Sequence, residues 1–213
     1  MVQRRKPVLQ ILLFSLLTST AVGQTAPAIW HHLQQQFFRT PETKLVLQSQ
    51  TGQTLTLYYQ HPYRFRMYLN GIRIYSDGDT LWLYQPEQNK VIIAQATPRL
   101  NTPILALLLD TTHHPEQLRL LRVHSSENPT IRWMLHATFP EGTGAVQRVE
   151  FALTQQYHPQ SVTVHYANGM TEHWTVKELH PLHPHPPSFF TPTLPDSVET
   201  IDLRPSTRSQ QSP

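Results

Sequence analysis

Residues 61–86 read HPYRFRMYLNGIRIYSDGDTLWLYQP, and this stretch decides the fold. Apolar side chains recur at nearly every second position, the period of a strand with one buried face. Phe65, Met67 and Leu69 share one face of a first strand, while Arg64, Arg66 and Tyr68 share the other, read as a solvated outer face. Ile72, Ile74 and Ser76 alternate in a second strand. Asp77-Gly78 supplies the left-handed turn that a tight hairpin requires. Thr80 to Tyr84 makes a third strand, with Leu81 and Leu83 opposing Trp82 and Tyr84. The segment is a sheet with an apolar face, and nothing in it suggests catalysis.

The same period runs through most of the chain. It predicts strands near 44–50, 54–60, 65–69, 72–76, 80–84 and 91–95, then near 118–124, 131–138, 146–153, 161–166 and 172–178. Turn residues separate them, among them Thr51-Gly52, Asn70-Gly71, Ser126 to Pro129, Gly142 to Gly144 and Asn168-Gly169. About eleven antiparallel strands in meander order predict a strongly curved sheet or barrel. Two helical segments interrupt the pattern. Ile29, Trp30, Leu33 and Phe37 recur at helical spacing between Pro27 and Pro41. Thr102-Pro103 caps a second, Ile104 to Leu109, which is apolar all round and therefore expected to be buried.

The ends of the chain speak to destination. Arg4, Arg5 and Lys6 precede an apolar run from Val8 to Leu17, and Ala21-Val22-Gly23 presents small residues at the cleavage positions. Residues 1–23 read as a secretory signal cleaved before Gln24, since the apolar run is shorter than the ~20 residues of a spanning helix. Their removal takes three basic residues and no acidic ones, so 17 basic side chains become 14, equal to the 14 acidic ones. The precursor's pI of about 9.3 is therefore no sign of nucleic-acid binding, and no nucleic-acid partner is expected. The chain has no cysteine, so it carries neither a disulfide framework nor a lipid anchor on cysteine. Residues 24–203 are enough for one domain, and 204–213, rich in Ser and Gln, read as a frayed tail.

Candidate chemistry is sparse. His180, His183 and His185 lie within six residues, and His31-His32 and His113-His114 form pairs. Metal ligands must converge on one point, whereas Pro181, Pro184, Pro186 and Pro187 hold the first cluster extended. No metal site and no cofactor are expected. Gly-x-Ser-x-Gly and His-Glu-x-x-His are both missing, and so is a glycine-rich phosphate loop. The chain is not expected to be an enzyme.

Five segments stand in an informative order. His61-Pro62-Tyr63-Arg64-Phe65-Arg66-Met67 leads to Ser76-Asp77-Gly78 and Leu81-Trp82-Leu83-Tyr84-Gln85-Pro86. Asn101-Thr102-Pro103 follows, then Phe189-Phe190-Thr191-Pro192 with Val198. This series, spread over Leu45 to Leu203, resembles the signature of the periplasmic outer-membrane lipoprotein carriers (the LolA-like family). The resemblance implies an unclosed, strongly curved antiparallel β half-barrel with a helical lid, and a closing strand at Phe189 to Val198.

It further implies a cavity for lipoprotein acyl chains, lined by Phe65, Met67, Ile74, Leu81, Leu83, Ile104, Leu105 and Leu108. In that family a basic residue before the proline helps latch the lid. Here His61 holds that position, a shorter side chain that is mostly neutral at neutral pH. The implied protein is a periplasmic monomer, loaded by an inner-membrane lipoprotein exporter and emptied by an outer-membrane receptor. Two alternatives stay open: a lipid-sensing regulatory or structural module on the same half-barrel, and a carrier of another lipid such as a glycolipid. The regulator of that kind has an additional C-terminal domain, which residues beyond Leu203 are too few to form.

Overall fold

The computed structural model describes residues 25–38, 40–60, 63–96, 115–123, 128–140 and 145–205, the side chains of 36–38 aside. Helix α1 (Ala26–Phe38) opens the described chain. Its first turn is capped by Thr25, whose hydroxyl accepts the Ala28 N–H at 3.4 Å and whose carbonyl accepts the Ile29 N–H at 3.0 Å. Six strands follow as one meander: β1 (Glu42–Ser49), β2 (Thr54–Gln60), β3 (Arg64–Leu69), β4 (Ile72–Ser76), β5 (Thr80–Gln85) and β6 (Lys90–Gln95). Five more form a second: β7 (Gln117–Arg122), β8 (Ile131–Thr138), β9 (Val146–Thr154), β10 (Pro159–Tyr166) and β11 (Thr171–Leu182). All eleven expected strands are present. A twelfth, β12 (Glu199–Asp202), runs parallel to β6.

The two meanders join through antiparallel pairing of β1 with β11, giving one sheet in the order β12-β6-β5-β4-β3-β2-β1-β11-β10-β9-β8-β7. It is therefore two meanders rather than one, and β6 and β7, consecutive in sequence, stand towards opposite ends. The sheet does not close, so β12 and β7 are its edges. Its register slips at Val46/Leu47, at Pro159/Ser161, at His165/Tyr166 and at Ile131/Trp133. Bulges bend and twist a strand, and these are confined to the β1–β11, β9–β10 and β8–β9 pairings. The β1–β6 hairpins keep regular register throughout.

Turn chemistry sets that register. Asn70 (φ 51°) and Gly71 (φ 77°) both sit in the left-handed region, which is the two-residue hairpin turn that matches strand twist. The turn at Asp77-Gly78 is longer than two residues. The Asp77 carboxylate accepts the N–H groups of Asp79 at 2.9 Å and Thr80 at 2.8 Å, and Gly78 takes φ 105°.

The inner face of the sheet carries the main core. Ile29, Trp30 and Leu33 of α1 pack into it beside Leu45, Leu55, Met67, Leu135, Phe151 and Val164. Trp30 meets the edges of Phe139 and Phe151 at 6.3 and 6.1 Å, favourable geometry for aromatic pairs. The helix thus covers the bulged half of the sheet.

A second, smaller core lies on the outer face, where Tyr75, Tyr84 and Val91 pack with Trp82, Ile93, Leu194 and Val198. It exists because the chain after β11 runs back across the outside of β1–β6 as a strap. The expectation of a strand at Phe189-Phe190 is corrected here. Pro187–Phe190 is one turn of 3-10 helix, started by Pro186 and Pro187, and the closing strand is β12. The Asn89 amide donates to the Ser197 carbonyl at 2.8 Å, and Glu199 N–H donates to Asn89 O at 2.9 Å, which steers the strap into β12.

Candidate functional site

Cross-strand register places the expected lining residues in rows on the inner face. One row runs Leu45, Leu57, Met67, Ile74, Leu83 and Ile92 from β1 to β6. A neighbouring row runs Tyr59, Phe65, Ser76, Leu81 and Ala94. Phe65, Met67, Ile74, Leu81 and Leu83 are thus brought together on one apolar surface. Ile104, Leu105, Leu108 and His61 lie outside the described residues.

The rows are not equally covered. Leu45, Leu57 and Met67 are at most 3 % exposed, and Phe65 is likewise 3 % exposed. Ile74, Leu81, Leu83, Ile92 and Ala94 are only partly buried. Burial therefore falls off along the sheet towards β6. Phe65 and Met67 belong to the packed core, and the incompletely covered apolar strip lies on β4–β6. Ile92 and Ala94 belong to this strip and are missing from the sequence-derived set. Their segment, Val91-Ile92-Ile93-Ala94, is apolar at every position, so alternation cannot assign a face. The β5–β6 register assigns it.

Polar groups at the strip's end fix the backbone at Tyr63. Ser76, 1 % exposed, donates its hydroxyl to the Tyr63 carbonyl at 3.1 Å and accepts the Gly78 N–H at 3.2 Å. Tyr63 has φ 73°, a conformation that costs a side-chain-bearing residue of order 1–3 kcal/mol and needs such anchoring. Burial raises the Tyr59 phenol above its ordinary pKa, partly offset by the hydrogen bond it shares with the Tyr63 backbone. At the other end of the half-barrel, Glu172 accepts hydrogen bonds from the Tyr166 hydroxyl at 2.8 Å and from Trp174 Nε1 at 3.2 Å. Burial, then the Glu172 bond, pushes the Tyr166 phenol up.

The outer face of β1–β4 departs from the solvated surface expected of Arg64 and Arg66. Arg66 lies over Phe189 of the strap at 4.7 Å, and over Tyr68 and Tyr75 at 5.1 Å each. Arg64 donates to Asp77 O and to Gln60 Oε1, both at 3.2 Å. His185, one of the three clustered histidines, is a strap anchor. Its backbone N–H and its Nδ1 both meet the fully buried Glu42 carboxylate, at 2.7 and 2.5 Å. The same ring stacks on Phe189 at 4.0 Å. No signal in the sequence linked Glu42 to a residue 143 positions away.

An unclosed sheet with an apolar inner face and a helix laid in it is a β half-barrel. The chain belongs to the outer membrane lipoprotein carrier protein family, LolA, whose sequence model matches residues 34–193. That family consists of carriers rather than enzymes. Among curated protein sequences, none matches the chain significantly. Similar solved structures include that of an uncharacterised conserved protein from Thermus thermophilus. It is 14 % identical with a TM-score of 0.54, over 84 % of this chain and 99 % of that one. A LolA superfamily protein from Nitrosomonas europaea is 13 % identical with a TM-score of 0.44, over 79 % and 98 %. At such identities the first likeness speaks to the fold alone.

Proposed function

We propose that this protein is a periplasmic carrier that shields the acyl chains of lipoproteins against its inner face and moves them from inner to outer membrane. The observation that carries this reading is the incompletely covered apolar strip of Ile74, Leu81, Leu83, Ile92 and Ala94, continuous with a closed core. In this reading Ile104, Leu105 and Leu108 complete the cavity and His61 latches it. Residues 1–23 direct export and are removed before Gln24, leaving residues 24–203 as the carrier domain.

The energetics demand partners. Transferring one chain of ~16 carbons from water to an apolar cavity gains on the order of 12 kcal/mol, at about 0.8 per methylene. Relative to a bilayer the gain is near zero, because the bilayer is equally apolar. An inner-membrane exporter must therefore load the carrier and an outer-membrane receptor must unload it. A strip of aliphatic side chains without polar fixtures suits a cargo that is held and then surrendered.

Native mass spectrometry of mature protein taken from the cell envelope tests this. The expected finding is a one-to-one complex with a triacylated or diacylated lipoprotein. A glycolipid in its place, or protein that stays empty when lipoprotein is in excess, overturns the reading.

A further inference from the structure

The two edges of the sheet are treated differently. At one end the strap adds β12, a strand of four residues bearing Glu199 and Asp202, which covers β6. Asp202 is in turn tied to Arg204 at 2.6 Å. Short, charged strands of this sort are how proteins blunt an edge. At the other end β7 is six residues long and pairs with β8 on one side; among the described residues, nothing pairs with its other side.

The backbone orientation of that edge follows from one bond. Val123 N–H donates to Arg132 O at 2.9 Å, so odd-numbered residues of β7 turn their N–H towards β8. The N–H groups of Leu118, Leu120 and Arg122 therefore point away from the sheet. The strand reads Gln117-Leu118-Arg119-Leu120-Leu121-Arg122, with no proline, no glycine and no carboxylate. Leu121 is 46 % exposed, and Arg119 and Arg122 are exposed as well. No described carboxylate forms an ion pair with either arginine. Arg122 only lies over the Trp133 ring, at 5.9 Å.

We propose that β7 is a docking edge that accepts an extended, acidic segment of another protein as an added strand. Main-chain hydrogen bonds to Leu118, Leu120 and Arg122 would supply affinity, as in other strand additions. Carboxylates on the incoming strand, one opposite Arg119 on one face of the sheet and one opposite Arg122 on the other, supply selectivity, since opposite charges on paired strands attract and like charges repel. The same two arginines disfavour a second copy of this chain, which would bring an equally basic strand to the edge.

Hydrogen exchange on the full mature chain tests the proposal, with Glu-Val and Lys-Val peptides of about eight residues as probes, the charged residue standing at every third position so that both faces of the added strand carry it. In the free protein the amides of Leu118, Leu120 and Arg122 exchange quickly. The Glu-Val peptide slows them, and binds about tenfold more tightly than the Lys-Val peptide. The same Glu-Val peptide N-methylated at alternate residues does not bind. In the double variant R119E/R122E the preference between the two peptides reverses, with the melting temperature of the parent retained. If that variant is unstable, R119Q/R122Q abolishes the preference instead. Amides already protected in the dilute free chain mean that the edge is covered, and overturn the proposal. So does protection that grows with protein concentration alone, which marks pairing of two copies. Peptide binding that leaves these amides unprotected, or ignores charge, overturns it too. None of these outcomes depends on whether lipoproteins are the cargo.

Discussion

Replacing Leu83 with Glu separates the cargo surface from the core. Leu83 sits on the inner face of β5, paired with Ile74 on one side and Ile92 on the other, and is only partly buried. The substitution forfeits part of the roughly 1.5–3 kcal/mol that full burial of a leucine contributes. In the free protein the new carboxylate keeps water on its open side, so no charge is stranded. A domain stable by ~5–15 kcal/mol survives this loss. An acyl chain laid along the strip would remove that water, and an unpaired buried charge costs several kcal/mol. About three kcal/mol alone weakens binding by about a hundredfold. Phe65→Ala is the contrast. Phe65 lies in the closed core, and truncating such a phenylalanine costs about 3–5 kcal/mol of stability. Thermal melting by circular dichroism, paired with titration of a fluorescent fatty acid, distinguishes the two. The expected pattern is a folded Leu83→Glu that no longer holds the probe, and a Phe65→Ala with a much lower melting temperature. A folded Leu83→Glu with unchanged affinity refutes this placement of the site. Unfolding of Leu83→Glu refutes it as well, because Leu83 would then be plain core.

Three further outcomes are expected. Glu42→Ala leaves His185 without its acceptor and should cost about 3 kcal/mol; it should also expose residues 183–203 to limited proteolysis, and unchanged cleavage there would remove Glu42 from its role as strap anchor. The Tyr166 phenol is raised in the folded state, as are Tyr59 and Tyr68, so the unfolded chain loses these protons first as pH climbs past about 10. Stability from these groups is complete below that pH and declines above it. Tyr166→Phe should make the fall in melting temperature between about pH 9 and 11.5 shallower, and an identical slope would contradict the assignment. If His61 latches the cavity, binding of the fluorescent fatty acid should change across roughly pH 5 to 8, and His61→Arg should flatten that dependence. Matching pH profiles for the two proteins would exclude His61 as the latch.

Much of this molecule is local chemistry and was legible in the sequence. The period-two alternation from Arg64 to Tyr84, the Asn70-Gly71 turn and the Ile29, Trp30 and Leu33 spacing each depend on residues a few positions apart. Strand identity and the facing of Phe65, Met67, Ile74, Leu81 and Leu83 followed from them, and the order of the motifs pointed to the family. What required the tertiary structure involves pairs far apart in the chain. The join of β1 to β11 splits one apparent meander into two. The Glu42–His185 bond lays the strap across the outside, and so turns Arg66 from a solvated residue into one enclosed by Phe189, Tyr68 and Tyr75. The β5–β6 register gives Ile92 and Ala94 a face that a continuous apolar run could not. Alternation fixes which side of a strand a residue takes, because it is set by the pleat of that strand alone. Whether that side is closed core, open strip or strapped surface depends on which distant segment is laid against it.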